Sequence, residues 1–161
     1  MKVRSLAAAS TTLLCGCVTP YQEPPAGAPS AQVVFSNVSA SGMVEFFAHD
    51  DNERCSDAIF IPQAFSVHEG QRVTVRFPTD RDLTLSANWG TTTESCRIFV
   101  TFRPVAGQRY AALYGHLGER CKFAVYRDLT ADGGSYEIEP SFRVRNGNPW
   151  LLEKNCPPEK H

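Results

Sequence analysis

No stretch of this sequence repeats apolar residues at helical spacing, so a helical fold finds no support. After the first residues, no apolar run approaches the ~20 residues that a membrane-spanning helix needs. No basic excess exists either: 16 Lys and Arg stand against 17 Asp and Glu. A nucleic-acid partner, which wants a basic face, is therefore not expected. Histidine is scarce, with 4 in 161 residues, at positions 49, 68, 116 and 161. There is no Cys-x-x-Cys or close Cys/His spacing for zinc and no Gly-x-Ser-x-Gly elbow for a serine hydrolase. No internal repeat is present. These absences leave neither a cofactor nor a metal to expect, and the expected class is not an enzyme.

What remains is strand periodicity. Val73, Val75 and Phe77 face one way and Arg72, Thr74 and Arg76 the other. Such period-two alternation marks a half-buried strand. Leu83, Leu85 and Ala87 alternate with Thr84 and Ser86. From Cys96 to Arg127 three runs follow, Ile98-Val100-Phe102, Tyr110-Ala112-Tyr114 and Cys121-Phe123-Val125. Pro104 to Gly107 and Gly115 to Gly118 read as turns between them, so an antiparallel meander is expected. Further runs begin at Gln32, Met43, Ala58 and Tyr136. The spacing predicts an all-β fold, a single antiparallel β-sandwich of seven to nine short strands over residues 32–161. Gly107 is expected to supply a positive φ, and Tyr110 to bury its ring with the hydroxyl satisfied at an edge.

The N-terminus carries the strongest functional signal. Lys2 and Arg4 precede an uncharged run from Leu6 to Leu14, which ends in Leu14-Cys15-Gly16-Cys17. This resembles the lipobox of bacterial lipoproteins, with leucine three residues before the modified cysteine and a small residue just before it. Cys15 does not fit, because Leu14 would then stand at the cleavage position. The resemblance implies a signal peptide over 1–16 and a Cys17 that is diacylated on sulfur, becomes the mature N-terminus and is then N-acylated. Two or three acyl chains anchor stably where one does not. Val18 is not aspartate, which by the sorting rule of such proteins implies the outer membrane, with the domain in the periplasm. Removing 16 of 161 residues leaves 145, enough for one domain with a core. Residues 17–31 hold Pro20, Pro24, Pro25 and Pro29 and are expected to be a lipid-anchored linker of little order that lifts the domain off the membrane.

With Cys15 removed and Cys17 acylated, Cys55, Cys96, Cys121 and Cys156 remain, an even set that suggests two disulfides in an oxidising compartment. Sequence leaves the three possible pairings open; the preferred one joins Cys55 to Cys96 and Cys121 to Cys156. A second resemblance covers about residues 55–127. Phe102-Arg103-Pro104-Val105-Ala106-Gly107-Gln108-Arg109-Tyr110, bracketed by Cys96 and Cys121, is similar to the Cys…Phe-x-Pro-x-x-Gly-x-x-Tyr…Cys pattern of small uncharacterised proteobacterial lipoproteins. It implies a small β-sandwich and brings no activity with it.

Candidate sites are few. The segment from His49 to Glu53 could gather metal ligands but has no regular ligand spacing and reads as a solvated turn. Asp128 to Gly134 lacks the acidic pattern of a calcium loop and reads as a hairpin loop. Trp89, Trp150, Leu151 and Leu152 form a partner surface if exposed and core or docking residues otherwise. The expected function is a non-enzymatic envelope module that binds or scaffolds another envelope component, held to the membrane by lipid rather than by a transmembrane helix. The alternatives are a periplasmic inhibitor of lysozyme or protease type and a small metal-dependent enzyme.

Overall fold

The computed structural model of the chain describes residues 20–39, 42–50, 55, 57–92, 94–117, 120–130 and 133–145. They form an all-β sandwich of two sheets. In chain order the strands are β1 (Ser30–Asn37), β2 (Met43–His49), β3 (Ala58–Phe60), β4 (Val67–His68), β5 (Arg72–Pro78), β6 (Leu83–Gly90), β7 (Ser95–Phe102), β8 (Arg109–Leu117), β9 (Arg120–Asp128), β10 (Tyr136–Ile138) and β11 (Arg143–Arg145). A 3-10 turn, Pro62–Ala64, separates β3 from β4. One sheet runs β10-β9-β8-β1-β5; the other runs β11-β7-β6-β2-β3, with β4 also paired to β2. Eleven strands among the described residues exceed the seven to nine expected. The surplus over the nine runs read from the sequence is β4 and β11, of two and three residues, too short to show a period.

The alternation read from sequence sorts the faces as expected. Val33 and Phe35 of β1, Val75 and Phe77 of β5, and Tyr110, Ala112 and Tyr114 of β8 are buried in one core. They meet Val44, Phe46, Leu85, Ala87, Val100 and Phe102 from the other sheet. Tilted and edge-on aromatic contacts run through it. Tyr21 lies 4.7 Å from Phe77, Phe77 6.1 Å from Phe35, Phe35 4.8 Å from Phe46, and Phe46 5.6 Å from Phe123, centroid to centroid. Such pairs add about 0.5–1.5 kcal/mol each beyond the area they bury.

The meander from Cys96 to Arg127 is corrected. β8 and β9 pair as an antiparallel hairpin, but β7 belongs to the opposite sheet. The link from β7 to β8 is an arch, not a hairpin. Gly107 takes φ +77°, the left-handed region that glycine enters without steric cost, and its N–H donates to the Ser30 carbonyl at 2.9 Å. Val105 donates its N–H to the Tyr110 hydroxyl at 3.0 Å, while the Tyr110 ring is fully buried. Burial pushes the Tyr110 phenol up and the Val105 hydrogen bond opposes that. Both local expectations hold, and together they turn the chain from one layer to the other. The second turn is also displaced: β8 continues through Gly115 and His116 to Leu117, which pairs with Arg120. One pair departs from the antiparallel rule, since β1 and β8 are parallel.

Cys96 and Cys121 form a disulfide with a Cα separation of 6.5 Å. It joins β7 to β9 and so ties the two sheets together. The preferred pairing is therefore wrong for both of its bonds. Cys96 and Cys121 stand at inward positions of facing strands, a neighbourhood that arises only once β7 crosses to the other sheet. Cys55 is disulfide-bonded as well.

The Pro-rich segment is not a loose spacer over residues 20–29. Pro20 forms a parallel bridge to Phe60, and the Tyr21 N–H donates to the Phe60 carbonyl. The Tyr21 hydroxyl donates to the Arg76 carbonyl at 2.7 Å. Glu23 Oε2 pairs with Arg76 Nε at 3.0 Å, and Arg76 Nη2 donates to the Pro24 carbonyl at 2.8 Å. β3 and β5 are edge strands on the same flank, so this strap closes the side where both sheets end. The strand β1 begins at Ser30, two residues before the expected domain boundary.

Replacing both Cys96 and Cys121 with alanine should lower stability by about 3 kcal/mol, because the bond closes a loop with a sequence separation of 25. Urea unfolding of the oxidised parent and the double variant checks this, with an unchanged far-UV spectrum expected in the absence of urea.

Candidate functional site

The outer faces of the two sheets differ. On the β11-β7-β6-β2-β3 sheet, period-two geometry sends Phe47 and His49, Thr84 and Ser86, and Phe99 and Thr101 outward. His49 is 7% exposed, Ser86 2%, and Thr84 and Thr101 are fully buried. His49 Nε2 and Ser86 Oγ lie 3.0 Å apart, and the Thr84 and Thr101 hydroxyls 2.8 Å apart. The His49 ring packs 5.3 Å from that of Phe99, and Phe99 forms a small apolar cluster with Cys55. The reading of His49 as part of a solvated turn is thus corrected: it ends β2 under cover, where its Nε2 meets the Ser86 hydroxyl.

A histidine beside a serine invites a nucleophile-and-base interpretation. The surroundings oppose it. The cavity that reaches His49 measures about 30 Å³, room for about one water. The hydrogen-bonded pair serves here as a polar layer under the sheet, which burial tolerates because its members bond to one another. Among the described residues no group of three or more His, Cys, Asp or Glu side chains is placed to hold a metal.

Larger openings lie among the described residues. One, of about 970 Å³, lies where the strap crosses the Pro78–Arg81 turn. Three of its four charged lining residues are paired in place, Arg81 with Asp50 at 2.9 Å and Glu23 with Arg76 at 3.0 Å, and Asp80 is the fourth. The other is a groove of about 310 Å³ on the outer face of the β10-β9-β8-β1-β5 sheet. Outward residues of adjacent strands pave it. Val34 stands beside Ala111 in the parallel β1–β8 register, and Ala111 beside Tyr126 in the β8–β9 register. Arg72 from β5 and Arg109 from β8 rise at its sides, with Tyr136 at one end. Val34 and Ala111 face away from the core, yet each is only 7% exposed, because these long side chains wall them in. Among the described residues no Asp or Glu lines the groove. The groove is the candidate site.

Trp89 does not belong to a partner surface. It sits at the inward end of β6, 5% exposed, and stacks on His116 with ring centroids 4.0 Å apart. Leu83, Leu85, Ala87 and Trp89 share one parity, and β6 carries that alternation on to Gly90. His116 likewise lies in β8 and His68 in β4 rather than in turns. Asp128 to Gly134 connects β9 to β10 as a hairpin loop. Asp128 Oδ1 accepts from the Thr130 N–H, and Thr130 Oγ1 accepts from the Gly134 and Ser135 N–H groups. Cys17, Trp150, Leu151, Leu152 and Cys156 lie outside the described residues, as do Asp51, Asn52 and Glu53. The groove residues carried no sequence signal, since a spaced Arg, Val, Ala and Tyr form no motif until a parallel strand pair sets them side by side.

The chain matches no family model and no curated protein.

Ser86→Ala should cost about 1–3 kcal/mol, because it removes the hydroxyl partner of a buried imidazole. Urea unfolding of the parent and the variant measures it.

Proposed function

We propose that this chain is an outer-membrane lipoprotein of the kind that its lipobox resembles, acylated at Cys17, whose sandwich is a non-enzymatic binding module of the envelope. The groove on the five-stranded sheet is its binding face. The observation that carries the reading is the Leu14-Cys15-Gly16-Cys17 sequence followed directly by a docked segment. From Cys17 to Pro20 there are three residues, which span at most ~10 Å at full extension. The strap then adheres to the sandwich through Tyr21 and Glu23. A domain tethered this way stays close to the lipid surface instead of being lifted from it, with the β3 and β5 flank on the tethered side. Display at a surface raises the domain's effective concentration towards anything else held in that layer. No helix among the described residues is long and apolar enough to cross a membrane, so in this reading attachment depends on the acyl chains.

Two disulfides fit the oxidising compartment of this reading. Cys96 pairs with Cys121, and Cys55 is bonded too. With Cys15 cleaved off and Cys17 acylated, Cys156 is the cysteine left for Cys55.

The intact mass of the mature protein tests the anchor: it should begin at Cys17, carry three acyl chains and lack four protons for two disulfides. Cys17→Ser should leave the protein unacylated and free of the membrane fraction. A non-reducing digest should yield Cys96 linked to Cys121 and Cys55 linked to Cys156. An unmodified N-terminus would refute the anchor.

A further inference from the structure

We propose that residues 146–161, which follow β11 outside the described residues, cross the outer face of the β11-β7-β6-β2-β3 sheet as a cover latched by a disulfide between Cys55 and Cys156. Opening the latch uncovers a face headed by His49 and Phe99. The choice of Cys156 rests on the acylation of Cys17 proposed above; the need for a cover does not.

Burial carries the argument. The outward residues of this sheet fall into rows along the register. Glu45, Asn88 and Arg97 make one row, Phe47, Ser86 and Phe99 the next, and His49, Thr84 and Thr101 the third. In a two-layer sandwich such rows face water. The first row does so, with Arg97 exposed and Glu45 and Asn88 half-buried. The other two do not. His49 on β2 and Phe99 on β7 flank β6, and their rings meet 5.3 Å apart above it. Those rings are the top of the sheet, yet they are only 7% and 8% exposed. Cys55, which packs on Phe99, is buried as well. The ion pairs of Asp82 with Arg103 and Arg143 stand at the Thr84 end of the face. A further layer therefore lies over His49, Phe99 and Cys55.

The chain supplies one in the right place. β11 ends at Arg145, directly beside Phe99 in the register. Ten residues, 146–155, separate it from Cys156 and reach ~35 Å when extended. Neighbouring strands stand only ~4.8 Å apart, so this length arches over the face with ease. Cys55 is disulfide-bonded, and a disulfide holds its two Cα atoms within ~7 Å. Cys156 at that distance from Cys55 brings the segment back onto Phe99. Between the two ends stand the turn residues Asn146 to Pro149 and then Trp150, Leu151 and Leu152. An indole and two leucine side chains can exclude water from a patch of rings. The other end of the chain is committed to the β3 and β5 flank, where Pro20 bridges Phe60. Such a latch answers to an external dithiol. The S–S bond breaks, two electrons and two protons pass to the Cys55 and Cys156 sulfurs, and the dithiol closes into its own disulfide.

The test uses the full mature acylated protein and follows carbethoxylation of each histidine by diethyl pyrocarbonate, read by mass spectrometry of a digest. His68, exposed in β4, is the internal reference. In the oxidised parent His49 should react at least about tenfold more slowly than His68, as protection by a closed layer requires. In Cys55→Ser/Cys156→Ser the gap should narrow, and adding Trp150→Ala should close it to within about threefold. Graded dithiol treatment of the parent should raise the His49 rate in step with alkylation of Cys55 and Cys156. The retained Cys96–Cys121 bond and the urea midpoint report that each variant still folds. A His49 as reactive as His68 in the oxidised parent overturns the proposal, and so does a His49 that stays protected in the triple variant. A digest that links Cys55 to Cys17 overturns the anchor as well. Cys55 linked to Cys156, with His49 still protected in the triple variant, sinks this inference and spares the anchor.

Discussion

The structure depends on a file of aromatic rings that passes through both sheets. Tyr21, Phe77, Phe35, Phe46 and Phe123 follow one another with centroid separations between 4.7 and 6.1 Å. These residues come from the strap, β5, β1, β2 and β9. Each ring fixes the parity of its own strand, since a shift of one residue would turn it outward and bring a polar neighbour in. Parity on the inside then dictates the outside. With Val33 and Phe35 committed to the core, β1 must present Gln32, Val34 and Ser36 on the far face; with Tyr110, Ala112 and Tyr114 inside, β8 must present Arg109, Ala111 and Leu113. The floor of the groove is thus a consequence of core packing.

The same file explains why the N-terminal strap adheres. A proline-rich segment has little side-chain area to bury and no regular pattern, and left alone it stays extended and solvated. Here its extended form suits the role, because an edge strand accepts an extended partner. Tyr21 adds its ring to the end of the aromatic file and its hydroxyl to the Arg76 carbonyl; Glu23 meets the Arg76 guanidinium. Two side chains convert a tether into part of the sandwich. A lipid attached just before such a strap constrains orientation as well as distance, which an unstructured linker of the same length does not.

Much of this could be read from the sequence, with limits that follow from locality. Alternation within a strand is local, and it identified the β5, β6 and β8 faces residue by residue. The corner at Gly107 and Tyr110 was legible for the same reason. Sheet membership was not. A six-residue link between alternating strands serves a hairpin and an arch equally well, and the residues inside it do not differ between the two. The disulfide assignment inherited that ambiguity, because Cys96 and Cys121 face each other only in the arched form. Trp89 was misplaced by the polar residues around it, although its parity with Leu85 and Ala87 pointed inward. The groove was beyond reach, since the parallel neighbours β1 and β8 are more than seventy residues apart in the chain.

The two outer faces differ in how far their polar groups are closed off. One face buries hydroxyls and an imidazole whose hydrogen bonds close upon each other, with space beside His49 for about one water. A ligand would have to break the Nε2–hydroxyl and hydroxyl–hydroxyl bonds to reach these groups. The other face spends nothing on internal pairing at Arg72, since no carboxylate among the described residues lies within ion-pair range of it. An arginine beside a walled apolar floor keeps its recognition capacity for something external. Chemistry-bearing residue types therefore lie on the covered face of this protein, and plain outward-facing Val, Ala, Tyr and Arg line the open groove of the other. Residue type alone does not tell these faces apart; burial and hydrogen bonding do.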